Sequence, residues 1–458
     1  MEKQGYEHEL MSSMKVSKAV AVMAVPSVIS SLVTVLYNMA DTFFVGQTGD
    51  PLQVAAVSLT NPIFILMMAF ANMFGMGGST VLSMAMGEKN EKRVRAASSF
   101  VTYASVFVGL VFAALLILFM DPILAVFGAD AETYEFARGY TLHIAWGAPF
   151  IIWSAAASFI VRAEGASREA MVGSMIGTIA NIVLDPIFIS VLGQGTAGAA
   201  IATSLGNIMA SLYYLWYFLK KSRVLSISWK DFTWKNGILT RICSTGLPTA
   251  IFSALMSVST IVLNQMLVVY GNAPVAAIGI VFKANMFITF LQMGLANGVQ
   301  PLLGYNYGSG DGKRFRAVES FTKRSCLVVG ILATLLYFAL REPIIRLFIN
   351  DDEVVAYGVE MLTAYMLSGP VIGFLFVNMN SLQSVGHALE ATVLSVLRQG
   401  VLLIPLLYLL QAMFGLTGVI FGQSVTDYAA VILSAVLWRR VRAGLPGGKA
   451  AGSGTVSA

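Results

Sequence analysis

Five ionisable side chains stand inside long apolar stretches of this sequence: Asp41, Asp185, Lys283, Arg398 and Asp427. A charge there is costly, and it usually faces a partner, a cavity or a transported ion. A structural ion pair, or a side chain reaching for a helix end, is the plainer alternative. Asn181 and Asp185 are four residues apart, so a helix carries both on one face. Pro186 follows directly and removes a backbone N–H, which disturbs the local ladder and frees carbonyl oxygens. On the next apolar stretch Ala199 and Thr203 share the same spacing. At 1.5 Å per residue, Asp185 and Thr203 each lie about 12 Å from the near helix end, and Asp41 roughly 8 Å from its own. The depths agree, so the geometry allows one cluster. Hard oxygen donors suit Na⁺ or a proton, not a soft metal.

A second set lies in the other half of the chain. Lys283, Arg398 and Asp427 each fall about 14–18 Å from a helix end. Asp427 can pair with Arg398 or with Lys283; contact with a substrate is the alternative. Other motifs do not hold up. Gly193-Gln-Gly-Thr-Ala-Gly198 fits GxGxxG, but a dinucleotide site needs a strand before it and a helix after it. Here it joins two apolar stretches, so a tight turn is expected. Gly308–Lys313 only faintly resembles a phosphate loop, because Arg314 stands where Ser or Thr should be. Two cysteines, Cys243 and Cys326, and three histidines, His8, His143 and His387, offer no zinc pattern. No enzymatic centre and no cofactor is expected beyond H⁺ or Na⁺ as a coupling ion.

The elements that must hold these residues are membrane helices. Of 458 residues 57% are apolar and only 12% charged, against roughly a quarter charged in soluble chains. Mean hydropathy is +0.76. Runs of about 20 apolar residues cross a hydrocarbon core of roughly 30 Å. Twelve are predicted, near 17–44, 53–84, 97–119, 139–161, 170–192, 196–219, 245–270, 275–303, 318–340, 360–383, 390–411 and 416–438. Alternate loops hold 24 of the 29 Lys and Arg residues. By the positive-inside rule both termini are expected in the cytoplasm, in a multi-pass protein of a prokaryotic plasma membrane. The net charge of +5 reflects that rim, so nucleic acid is not an expected partner. The polar start MEKQGYEHEL does not read as a cleaved leader.

The chain also repeats itself. Gly87-Glu-Lys-Asn-Glu-Lys-Arg-Val-Arg-Ala96 aligns with Gly308-Ser-Gly-Asp-Gly-Lys-Arg-Phe-Arg-Ala317 at an offset of 221. The same offset carries Phe127 onto Phe348, Pro149 onto Pro370 and Gly165 onto Gly386. Pro26 maps to Pro248 at an offset of 222, and Gly195 to Gly415 at 220. Six spans per copy is even, so both copies have one orientation, the parallel-repeat plan that places substrate between halves. The expected fold is therefore all-α: twelve helices in two six-helix lobes. A short segment (1–16) precedes the N-lobe (17–219). A cytoplasmic linker (220–244), the C-lobe (245–438) and a flexible tail (439–458) follow. Asp41 maps onto Leu263 and Asp185 onto Pro405. A packing role tends to appear in both copies; an ion site in one half need not.

Three segments carry a resemblance: Tyr37-Asn-Met-Ala-Asp-Thr-Phe-Phe-Val-Gly46, Asn181-Ile-Val-Leu-Asp-Pro-Ile187 and Gln300-Pro-Leu-Leu-Gly-Tyr-Asn-Tyr-Gly308. They resemble the MATE (multidrug and toxic compound extrusion) family, in its DinF-like branch, over about 15–440. The resemblance implies a V-shaped secondary antiporter, functional as a monomer. It would expel organic cations and drugs by alternating access while Na⁺ or H⁺ enters. By position Asp41, Asn181, Asp185 and Thr203 match the family's N-lobe cation site, with Ala199 as a backbone ligand and Tyr37 as a polar neighbour. Some relatives carry an acid in the seventh span; here that stretch reads Ala254-Leu-Met-Ser-Val258, which argues against a C-lobe ion site. The alternative is a flippase or exporter of a lipid-linked or other amphiphilic metabolite. That role calls for several cavity cations, and this chain offers Lys283 and Arg398.

Overall fold

The computed structural model describes residues 2–46 and 50–444. Helices follow one another in the order α1 (Glu2–Ser12), α2 (Val16–Gly46), α3 (Pro51–Gly87), α4 (Glu91–Leu118), α5 (Met120–Val126), α6 (Tyr134–Ala163), α7 (Ser167–Pro186) and α8 (Gly195–Trp216). After the linker come α9 (Ile238–Val268), α10 (Asn272–Gly308), α11 (Gly312–Arg346), α12 (Asp352–Met366), α13 (Gly369–Ser384), α14 (Ala388–Val396), α15 (Leu403–Phe414) and α16 (Leu416–Ala443). The starts of α3, α4, α7 and α8 recur 221 residues later as those of α10, α11, α14 and α16. Matching caps explain two of these starts. Asn90 accepts from the Arg93 N–H at 3.1 Å, and its twin Asp311 accepts from the Arg314 N–H at 2.9 Å.

Among the described residues ten helices are long and apolar enough to span a membrane, and the bent pair α12–α13 makes an eleventh. The twelfth is α8, in which Gly195, Thr196, Ser204 and Asn207 dilute the apolar residues. The all-α, twelve-helix, two-lobe layout expected from the sequence is thus what the chain adopts. One predicted span, 360–383, lies within α12–α13, which bends by 48°. Pro370 sits in the first turn of α13 and cannot donate to a preceding carbonyl. Neighbouring helices supply donors instead. Thr334 Oγ1 reaches the Met366 carbonyl at 3.2 Å and Tyr428 reaches that of Leu367 at 2.8 Å. Gln292 Nε2 reaches that of Gly369 at 3.3 Å. Broken backbone at membrane depth survives only with such partners.

Packing divides the chain into two compact units. One holds Ile29–Ala85 and Asn90–Ala250; the other holds residues up to Val28, Met86–Lys89 and those from Ile251 onward. The divisions inside α2 and α9 each fall two residues past a proline, Pro26 and Pro248. Within each unit the repeat preserves a close helix approach. A Cβ on Gly109 would meet Pro149 Cα at 2.4 Å; on its twin Gly330 it would meet the Gly369 carbonyl at 2.5 Å and Pro370 Cα at 2.9 Å. Small residues let membrane helices close on one another. Ser204 Oγ donates to the His143 carbonyl at 2.9 Å, and Ser424 Oγ donates to that of Ala364, the equivalent position. The linker is strapped to α4: Ser99 and Tyr103 donate to the carbonyls of Ser228 and Ile227 at 2.9 and 2.8 Å. Trp229 stacks on Phe232. Trp229 and Trp234 stay exposed, as an interfacial strip requires.

Candidate functional site

In the first unit α7 and α8 bring Asn181, Asp185 and Thr203 together, each 3% exposed or less. The Asn181 amide is oriented so that Nδ2 donates to Asp185 Oδ2 at 3.0 Å. Its Oδ1 then accepts from the Thr203 N–H at 2.9 Å and from Thr203 Oγ1 at 3.1 Å. A regular helix would give that N–H to the Ala199 carbonyl; here a side chain shares it. Ala199 itself is buried against Ile189. Tyr37 on α2 closes the group, its hydroxyl 3.4 Å from Thr203 Oγ1. Two further members were not singled out in the sequence. Asn207 Nδ2 donates to the Thr203 carbonyl at 2.9 Å, and Ser154 Oγ on α6 donates to Asn207 Oδ1 at 2.9 Å. Asn207 lies four residues past Thr203, and that spacing was the available signal. Asp41 belongs to α2, but its side chain lies outside the described residues.

The backbone beneath this group is irregular where Pro186 predicts it. Residues Ile187–Val191 form a π turn, closed by the Leu192 N–H on the Ile187 carbonyl at 2.9 Å. Insertions of this kind recur at functional sites. The segment from Gly193 to Gly198 is a tight turn into α8. Gly193 and Gly195 hold φ of +64° and +54°, and a Cβ on Gly198 would press on Phe188 at 2.7 Å. All three glycines are therefore steric requirements of the turn.

The second unit resolves the other set. Arg398 Nε donates to Asp427 Oδ1 at 2.9 Å, and Gln423 Nε2 donates to the same oxygen at 3.1 Å. The Arg398 guanidinium lies 5.4 Å from the Phe252 ring and 5.6 Å from that of Phe376, within cation–π range. Both charged residues are buried. A π turn, Leu397–Val401, carries Arg398, and Ser259 Oγ bonds to the Gln399 carbonyl inside it. Lys283, the other cation expected near Asp427, is not its partner: it is exposed on α10. Position 283 shares a depth with Asp427 but not a face, and depth alone could not separate the two cations.

These features define a class first: a duplicated helical membrane protein with a buried acid–amide–hydroxyl cluster in one copy and a sealed ion pair in the other. The MatE family model matches residues 26–187 and again 248–409, one match per copy. The chain belongs to that family. Multidrug export protein MepA of Staphylococcus saprophyticus subsp. saprophyticus is 34% identical over 408 residues, 88% of this chain and 89% of its own. The protein of that name from Staphylococcus aureus (strain MRSA252) is 34% identical over 434 residues, 93% and 95% of the two chains. A solved MATE structure in complex with MaL6 matches with a TM-score of 0.91 at 24% identity, covering 95% of this chain and 98% of its own. A MOP superfamily transporter from Pyrococcus furiosus, described as having a binding pocket of reverse polarity, matches at 0.89 and 24%, over 95% and 97%.

Proposed function

We propose that this protein is a drug efflux transporter that exports organic cations in exchange for H⁺ or Na⁺, by alternating access. The observation that carries the reading is Asp185: fully buried, within hydrogen-bond reach of Asn181, and two residues before a π turn. A carboxylate held this way among neutral oxygens and amides takes up a proton or a hard cation as its natural counter-charge. Asn181, Thr203 and Tyr37 position it, Ala199 contributes a backbone oxygen, and Asp41 is the second acid of the site. The export role follows the relatives named for multidrug export. The alternative, a phosphate-bearing substrate, needs free cations, and Arg398 is already held by Asp427.

The deciding experiment is efflux from proteoliposomes with pH and Na⁺ gradients imposed separately, for wild type and Asp185→Asn. Loss of gradient-driven efflux in a variant that still inserts and elutes as a folded protein is expected. Wild-type efflux from purified Asp185→Asn would remove the basis of the proposal. The gradient that drives wild type names the ion.

A further inference from the structure

Lys283 is the intramembrane charge that neither cluster uses. It lies about 16 Å past the first residue of α10, half the depth of a hydrocarbon core of roughly 30 Å. From there its ammonium does not reach water at a helix end. Among the described residues it makes no ion pair and no hydrogen bond, yet it is exposed. A charge so placed faces water and not hydrocarbon.

The rest of α10 identifies that side of the helix. Its exposed residues are Asn272, Ala276, Gly279 and Lys283, at helical spacing along a single face. None is a large apolar side chain. Faces that suit lipid look different in this chain: α11 exposes Leu332, Leu335 and Leu336, and α4 exposes Phe107, Leu110 and Leu118. A Cβ built on Gly279, one turn before Lys283, would meet nothing within 4 Å, so there is room beside the ammonium for another molecule. One turn further on, Met286 and Phe287 are half-buried and put an apolar surface next to the charge. Packing does not ask for the cation. The equivalent position in the first copy is Pro62, and α3 forms around it without a charge.

We infer that Lys283 determines specificity by pairing with a carboxylate on the exported compound, so that zwitterions, with an amine and an acid on one apolar body, are substrates. The inference rests on the proposed export of organic cations and names a subclass of them. Lipid headgroups stay outside the hydrocarbon core, so an anion that reaches Lys283 arrives on a solute. One ammonium matches one carboxylate, whereas a phosphate-bearing substrate calls for more cations. The apolar body of the compound lies over Met286 and Phe287.

The test reads binding and transport separately, with a rhodamine that carries a free carboxylate (a zwitterion) and its methyl ester (a monocation). Binding is followed by fluorescence polarisation on the full-length protein in detergent, and export in proteoliposomes under imposed pH and Na⁺ gradients. Wild type is expected to bind both dyes. Lys283→Met should raise Kd for the acid about tenfold, the loss of one charge-assisted hydrogen bond, and leave that for the ester unchanged or lower. Lys283→Arg keeps the charge and should keep the acid. In transport the KM for the acid should rise with Kd while kcat holds. Unchanged acid binding in Lys283→Met overturns the inference, as does an equal loss of acid and ester, which marks a structural role. A wild type that does not bind the acid overturns it too. Acid binding that depends on Lys283, without gradient-driven export of either dye, leaves this site standing and removes the efflux reading instead. Should Lys283→Met fail to fold, Lys283→Gln gives the same decision.

Discussion

Replacing Asp427 with alanine strands a buried cation. Arg398 loses the carboxylate at 2.9 Å and keeps only the faces of Phe252 and Phe376. Breaking one side of a buried pair costs about 3–5 kcal/mol, and the two rings offset part of that, at about 0.5–2 kcal/mol each. The expected net loss is about 2–4 kcal/mol. An unfolding entropy near 2.1 cal/mol/K per residue gives a chain of this length on the order of 1 kcal/mol/K, so the thermal midpoint should fall by about 2–4 °C. Adding Arg398→Met removes the stranded charge and leaves an unbranched apolar chain against the same rings. At least half of the loss should then return, a coupling of about 1–2 kcal/mol in a double-mutant cycle. The assay is thermal unfolding of the four purified proteins in one detergent, with drug efflux measured in parallel. Additive losses in the double variant would refute the pair. An Asp427→Ala protein that melts like wild type but exports a different set of drugs would place the residue in the substrate cavity.

With one buried acid–amide cluster and a monovalent substrate, exchange against a single cation is electroneutral. Imposing 100 mV, about 2.3 kcal/mol per net charge moved, should barely change the rate at fixed pH and Na⁺; a steep response to a valinomycin-imposed potential would exclude a single-ion cycle. Gly109→Ala forces a methyl to 2.4 Å from Pro149 Cα and should destabilise by about 1–3 kcal/mol, whereas an unchanged midpoint would mean that α4 and α6 can separate without penalty.

Much of this was legible in the sequence, and the rest fails for identifiable reasons. Apolar runs located the spans, because a span must be apolar over its whole length. Asn181, Asp185 and Thr203 were legible as one group because helical spacing fixes face and depth together. Ser154 was not: it sits in α6 beside Asn207, and no periodicity in one helix reports which face of another it meets. The bend between α12 and α13 was hidden for a related reason. Pro149 and Pro370 are equivalent, yet α6 runs unbroken through its proline and α12–α13 does not. In the bent pair Gln292, Thr334 and Tyr428 of neighbouring helices hold the freed carbonyls, and such partners are a tertiary property. Lys283 misled because depth was the only coordinate available for it.

The duplication serves as an internal control on which residues carry function. Both copies keep the glycine–proline contacts of Gly109 and Gly330, the cap pair Asn90 and Asp311, and the serine-to-carbonyl bonds of Ser204 and Ser424. Each satisfies backbone or closes helices, so each is needed wherever the six-helix unit is built. The polar residues that differ are those with no such duty. Asp185 has no acid at its equivalent position, and the first copy has no ion pair where the second has Arg398–Asp427: at the offset of 220 that relates Ser204 to Ser424, Asp427 falls on the neutral Asn207. A Cβ on Gly177 would meet the Gly206 carbonyl at 3.0 Å, so α7 closes tightly on α8 in the first copy. Closing that contact presses the helix backbones together beside Asn181, whose Cβ lies 3.2 Å from a Cβ built on Gly206. These two glycines therefore bring Asn181 onto Thr203 and align the amide that Asp185 faces.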